Sequence, residues 1–243
     1  LVLSYSSEIM YHKMIHLIAR LNHVAPVPYA VKSYGKYMAV PFGKVLEGTA
    51  VPNTVTKALH TEKYFYEDIS GFTIEERSYY STLENQIRTI RSFNRPVILV
   101  DDLLHKGYRM KEIDPILKAN GVVVADTVVG VQTGRGRDLM TLKERSVDSA
   151  YFLPNLKCWI DESALYPYIG GDSMKAKGMP VAVCDLIPSL NLVLPFAIPS
   201  FLGNISNAHY YDFSMTALTN ARDILKTLEE EYQKTFEQKL TLK

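Results

Sequence analysis

Apolar positions along this 243-residue chain fall into two alternating patterns. Val97-Ile98-Leu99-Val100 is an unbroken apolar run that reads as a strand buried on both faces. A short turn follows. Then Met110, Ile113, Ile116 and Leu117 recur at helical spacing, and Asn120-Gly121 is suited to cap a helix C-terminus. Pro115 marks either the start of that helix or a kink in it. Residues 122–126 open another buried strand, which continues through 128–131. A strand–loop–helix–strand unit of this kind builds a parallel sheet.

The same patterns recur on either side. Residues 1–3 read as a strand. Residues 9–21 read as a helix, with Ile9, Met10, Met14, Leu17, Ile18 and Leu21 as its apolar face and Ser7 as its N-cap. Strand-like alternation surrounds residues 37–40. Residues 42–63 carry turn chemistry with little periodicity, as a functional loop would. Residues 72–93 are expected to be helical, with Thr73 and Glu76 as a capping box and Leu83, Ile87 and Ile90 on one face. Residues 149–153 read as a further strand. The stretch 180–202 is apolar and proline-rich and suits an irregular hood. Residues 215–240 form a terminal helix with Leu218, Ala221, Ile224, Leu225, Leu228 and Tyr232 as its buried stripe. The expected fold class is α/β. It has a mainly parallel twisted sheet, helices on both faces, strand 97–100 at the centre, and a C-terminal hood and helix. The expected division is an α/β core over residues 1–165 and a cap over 166–243 packed on that core.

The chemistry gathers where the central strand ends. Asp101 and Asp102 follow it directly, and the turn after them holds His105, Lys106, Gly107, Tyr108 and Arg109. Ligands of open α/β sheets bind beyond the carboxyl ends of the strands. Backbone amides of such a turn and of the following helix can hold a phosphate, and Lys106 and Arg109 add charge. An acid pair does not favour that phosphate. It suits neighbouring hydroxyls, as on a ribose, or a hydrated divalent metal. Together they point to a sugar phosphate.

These residues resemble the phosphoribosyl-diphosphate motif of the type I phosphoribosyltransferases: four apolar residues, two acids, two apolar residues, then a small-residue turn. His105 and Lys106 depart from the usual small residues, and Arg109 stands where Thr or Ser is usual. The resemblance covers roughly residues 1–165. It implies that Asp101 and Asp102 hold the ribose hydroxyls and a Mg²⁺ site, and that residues 105–109 wrap the 5′-phosphate. It also places His105 where a general base stands in the purine-salvage branch. By position, Ser6 and Ser7 fall in a diphosphate-binding loop. Residues 42–63 would hold a flexible loop, with Lys57, His60 and Lys63 reaching toward the diphosphate.

Arg135 and Arg137, in Gln132-Thr133-Gly134-Arg135-Gly136-Arg137-Asp138, lie at the end of the next strand and can make bidentate anion contacts. Its two glycines read as a turn, not as a dinucleotide fingerprint. Trp159, the one tryptophan, is the first guess for an aromatic that stacks on a nucleobase. His12 and His16 are four residues apart, but Lys13 stands where a zinc protease needs Glu, so two surface histidines are expected.

Composition narrows the function. A net charge of +1 gives no general basic surface for nucleic acid. No apolar stretch is long enough to cross a membrane. Cys158 and Cys184 form neither a metal spacing nor a disulfide framework, so a reducing, cytoplasmic location is the default. The chain begins with Leu1, so it is expected to be a piece of a longer protein with a preceding domain; a homodimer is compatible with this reading. The expected function is a phosphoribosyltransferase acting on phosphoribosyl diphosphate, or in reverse on a nucleoside monophosphate, with a nitrogen nucleophile. The alternative is a non-catalytic sensor that binds the same compounds. A receiver domain also places acids after a buried strand. It needs a phospho-accepting Asp at a later strand end, and residues 141–148 hold no apolar run ending that way.

Overall fold

The computed structural model describes residues 3, 5–28, 34–43, 45–66, 72–77, 79–156 and 207–241. Strands β1 (Met38–Pro41), β2 (Val55–Thr56), β5 (Val97–Leu104), β6 (Val124–Thr133) and β7 (Asp148–Leu153) form one sheet in the order β2-β1-β5-β6-β7. Every ladder in it is parallel. A second sheet pairs β3 (Thr61–Phe65) with β4 (Phe72–Glu76). The helices are α1 (Ser7–Asn22), α2 (Leu83–Ser92), α3 (Tyr108–Ala119), α4 (Gly134–Leu142) and α5 (Asn207–Phe236). The chain separates into two compact units. The five-stranded sheet belongs to the one made of residues 5–62 and 74–156, and α5 to the other.

Strand β5 is central because both of its faces are covered. Val97, Ile98, Leu99 and Val100 are all buried. Successive strand residues point to opposite faces, so each face receives two of them. Ile98 and Val100 join Ala39, Val128 and the α1 residues Met10, Met14, Ile15 and Ile18 in one cluster. The connections β1→β5, β5→β6 and β6→β7 all advance in the same direction across the sheet. Right-handed crossovers therefore put α2, α3 and α4 together on the opposite face. Asp114 of α3 bonds Lys143 and Arg145, just past α4, at 3.0 and 2.6 Å, as neighbours on one face would. The connection β1→β2 turns the other way. Its Leu46 and Val51 join the cluster on the α1 face.

Several expectations change. β5 runs to Leu104, so the acid pair lies inside the strand; its ladder to the ten-residue β6 continues through Leu104. Residues 72–76 are a strand, not the start of a helix. Helix α2 starts at Leu83, with Thr82 as N-cap accepting the Asn85 N–H at 3.3 Å. Ser6, not Ser7, caps α1, accepting the Ile9 N–H at 3.4 Å. Ile9 is exposed and leaves the apolar face. α3 begins at Tyr108 and carries Pro115 within it. Gly134 and Gly136 lie in α4, not in a turn. His12 and His16 are surface residues of α1, as expected. The terminal helix is α5, with Leu225, Leu228 and Tyr232 half-buried. The proposed hood at 180–202, Trp159, Cys158, Cys184 and residues 1 and 2 lie outside the described residues.

Candidate functional site

The sheet order reverses at β1, which sends its two connections to opposite faces. A crevice therefore opens beyond the carboxyl ends of β1 and β5, the place where open α/β sheets hold ligands. The β1 side supplies Phe42, Gly43 and Val45. The β5 side supplies Asp102 and the turn from His105 to Arg109. The sequence reading took residues 42–63 as a functional loop, but it did not single out Phe42, Gly43 or Val45, because residues 42–46 show only turn chemistry. Val40-Pro41 before Gly43 was their one local signal.

Asp101 and Asp102 are consecutive in β5 and take different partners. Asp101 follows Val97 and Leu99 to the α3 face and is 3% exposed. Its Oδ1 accepts from Arg109 Nη1 at 2.7 Å and from the Asp102 N–H at 2.9 Å. Arg109 also donates to the Phe42 carbonyl, and its guanidinium lies 4.6 Å from the Phe42 ring centroid. Arg109 thus ties α3 to both strands that border the crevice. Asp102 is partly buried against the loop after β1. Its Oδ1 accepts the Val45 N–H at 2.9 Å. A Cβ on Gly43 would lie 2.6 Å from that same oxygen, so the loop after β1 closes on this carboxylate only because residue 43 has no side chain.

A divalent metal held by both carboxylates does not fit this arrangement. Asp101 Oδ1 already neutralises a guanidinium, and Asp102 Oδ1 already accepts the Val45 N–H. Among the described residues, no group of three or more His, Cys, Asp or Glu side chains is placed to hold a metal.

The turn is built for tightness. Gly107 takes the left-handed conformation, φ 68°, at the N-cap of α3 and makes no side-chain capping bond. The first amides of a helix have no intrahelical acceptor, so this end suits an anion. Lys106 is exposed, with its Nζ 5.9 Å from the Tyr108 ring centroid. His105 Nδ1 lies 3.0 Å from Thr133 Oγ1, the N-cap of α4. Burial, then Lys106 and Arg135, hold its pKa below the ordinary imidazole value, which favours the neutral ring.

Of the remaining predicted residues, Ser6, Ser7, Arg135 and Arg137 share this edge of the sheet. Helix α1 runs antiparallel to the strands: near its end Arg20 pairs with Asp148 at the start of β7, while Tyr5 before it contacts Tyr151 further along that strand. Ser6 and Ser7 therefore lie at the carboxyl edge. Arg135 and Arg137 are exposed in the first turn of α4, where Arg137 lies over the Phe152 ring at 4.9 Å. Phe152, 41% exposed near the end of β7, is an aromatic at this edge that the sequence reading passed over.

The loop after β1 is anchored further out. Glu47 accepts from Arg77, pairs with His60 Nδ1 at 3.1 Å, and His60 stacks on Tyr80 at 3.8 Å. His60 is therefore engaged here. Burial raises the Glu47 pKa, but the hydrogen bonds and charges of Arg77 and His60 outweigh it and hold the carboxyl below its ordinary range. A carboxylate with a depressed folded-state pKa contributes stability that is complete above its unfolded value. That stability is lost as the pH falls through the folded value. Glu47→Gln is therefore expected to flatten the loss of stability on the acid side, read as urea-unfolding free energies between about pH 7 and pH 3. A variant that falls as steeply as the wild type would show that Glu47 contributes none of it.

A comparison with family models finds no match, and a comparison with curated proteins finds none either. Among solved structures, the chain is similar to an adenine phosphoribosyltransferase from Thermoanaerobacter pseudethanolicus, at 14% identity and TM-score 0.35, over 59% of this chain and 80% of that one. It is similar to an Aquifex aeolicus protein at 15% identity and TM-score 0.38, over 68% and 82% of the two chains. It is also similar to a hypoxanthine phosphoribosyltransferase from Trypanosoma cruzi in complex with the product IMP, at 10% identity and TM-score 0.34, over 65% and 81%.

Proposed function

We propose that the crevice between β1 and β5 binds a 5-phosphorylated ribose compound, either phosphoribosyl diphosphate or a nucleoside monophosphate, and that the chain is a phosphoribosyltransferase. The observation that carries this reading is the side-by-side placement of Asp102 and the Gly107 turn at the reversal of the sheet order. A hydroxyl acceptor and an anion-binding helix end then face one ligand. In this reading Asp102 accepts from the ribose hydroxyls. The amides of residues 105–109 and Lys106 hold the 5′-phosphate, with Tyr108 flanking the turn. Asp101 and Arg109 act from behind: their pair fixes the helix end and the Phe42 carbonyl in place. Ser6, Ser7, Arg135 and Arg137 supply the outer contacts at the same edge. Mg²⁺ would arrive on the diphosphate and keep several of its waters, so no dedicated all-protein cage is required.

The reaction joins a nitrogen nucleophile to ribose C1 and breaks the bond from C1 to the diphosphate oxygen, which leaves with the electron pair. The nitrogen loses a proton, and in this reading His105 accepts it as general base. His105→Ala is then expected to leave ligand affinity within a few-fold and to lower kcat by roughly a hundredfold or more. Weakened binding with turnover of bound substrate untouched would make His105 a phosphate contact.

The Asp101–Arg109 pair favours a second reading, a non-catalytic sensor. It commits one of the two acids and one of the cations to the protein itself. Tight binding of phosphoribosyl diphosphate by the wild type, without turnover of any nucleobase supplied, is the outcome this reading expects.

A further inference from the structure

We infer that Thr133 is a positioning residue that holds His105 as its Nδ1–H tautomer, so that Nε2 is the ring nitrogen left to accept a proton. The catalytic meaning of this inference rests on the general-base role proposed for His105; the tautomer itself does not.

The inference follows from what each neighbour of one hydroxyl can do. Thr133 is 1% exposed, so water does not supply its partners. Its Oγ1 has three neighbours at hydrogen-bond distance: the Gly136 N–H at 3.2 Å, the Leu104 carbonyl at 3.4 Å and His105 Nδ1 at 3.0 Å. An amide N–H only donates and a carbonyl only accepts. A hydroxyl has one proton and two lone pairs. Gly136 takes one lone pair, and Leu104 takes the proton. With the proton directed at the Leu104 carbonyl, the third contact is left for His105 to donate, which puts the proton on Nδ1. The tautomer of a histidine is set in this way by the bond its other nitrogen makes.

The sequence supports each contact. Thr133 ends β6 and caps α4, so its hydroxyl is fixed by two main-chain groups before His105 approaches. Gly136 allows that approach, since a Cβ there would lie 2.3 Å from the Leu104 oxygen. Leu104 and Gln132 are paired across the ladder, which brings residue 105 level with residue 133. The charged groups that act on His105 are Lys106 and Arg135, both cations, and they oppose a second proton on the ring.

The test combines nitrogen NMR of the ¹⁵N-histidine-labelled full chain with kinetics of two variants. Long-range proton–nitrogen correlations distinguish a protonated Nδ1 from a protonated Nε2, and loss of a signal set in His105→Gln assigns the residue among the six histidines. The wild type and Thr133→Ser are expected to show the Nδ1–H form at neutral pH. Thr133→Val keeps the shape but lacks the hydroxyl. It is expected to show a substantial Nε2–H population and about a tenfold or greater loss of kcat, with KM within a few-fold. Loss of the cap alone lowers stability without moving the tautomer, so the NMR readout separates the two roles. An Nε2–H wild type, or a folded Thr133→Val that keeps the wild-type tautomer, overturns the inference. A tautomer that shifts as expected while kcat stays unchanged upholds it and instead removes His105 from the chemistry.

Discussion

Asp101→Asn is expected to lower the free energy of unfolding by about 3 kcal/mol, although Asp101 stands beside the candidate ligand site. Its carboxylate is buried, and it neutralises Arg109 at 2.7 Å. The amide that replaces it is neutral and leaves the Arg109 charge, itself largely buried, without its counter-ion. Removing one member of such a pair is worse than removing both. The double variant Asp101→Asn with Arg109→Met is therefore expected to be more stable than Asp101→Asn alone. Urea unfolding of the three variants closes the cycle. Additive losses would show that the two residues do not act as a pair.

Gly136→Ala is expected to be the second large effect, a loss of about 2–4 kcal/mol. The new Cβ would lie 2.3 Å from the Leu104 carbonyl oxygen and 2.9 Å from its carbon. Those are main-chain atoms of β5, so no side-chain rotation relieves the overlap. Either the first turn of α4 lifts away from the sheet or β5 yields. Gly136 is helical and needs no positive φ, so the effect comes from contact and not from backbone conformation. Alanine is also the better helix former, which works against the predicted sign by about 1 kcal/mol. A variant as stable as the wild type in thermal and urea unfolding would mean that α4 sits farther from β5 than the structure places it.

The same contacts show what was legible in the sequence. The apolar run at 97–100, the helical spacing after it and the next strand were legible because each signal is local. So was the parallel arrangement, since strand and helix patterns alternate. The strand's extension through Asp101 and Asp102 was not. Two acids read as an end, and the partners that make them tolerable lie on α3 and in the loop after β1. The first is eight residues away and the second is 57. Arg109 was read with the phosphate turn for the same reason: its position in the sequence is beside that turn, but its guanidinium reaches back to Asp101 and Phe42. Residues 72–76 look like a capped helix start because Thr73 and Glu76 have the right spacing. Pairing with β3 decides the matter, and no local pattern reports it. Gly134 and Gly136 suggested a turn through their freedom of φ. They are needed instead for close approach, to the Pro154 and Leu104 carbonyls.

The geometry also divides the acid pair into two roles that the sequence could not separate. Asp101 is committed to Arg109 as a structural anion, while Asp102 meets the loop after β1 at the crevice. Titration calorimetry of phosphoribosyl diphosphate with Mg²⁺ into the wild type and Asp102→Asn, with the fold of each checked by circular dichroism, tests this most directly. The wild type is expected to bind, and Asp102→Asn to stay folded and to lose affinity by about a hundredfold, as when charged hydrogen bonds to two hydroxyls are lost. Equal affinity in the two proteins, or no binding by a folded wild type, would contradict a ribose-phosphate site in this crevice.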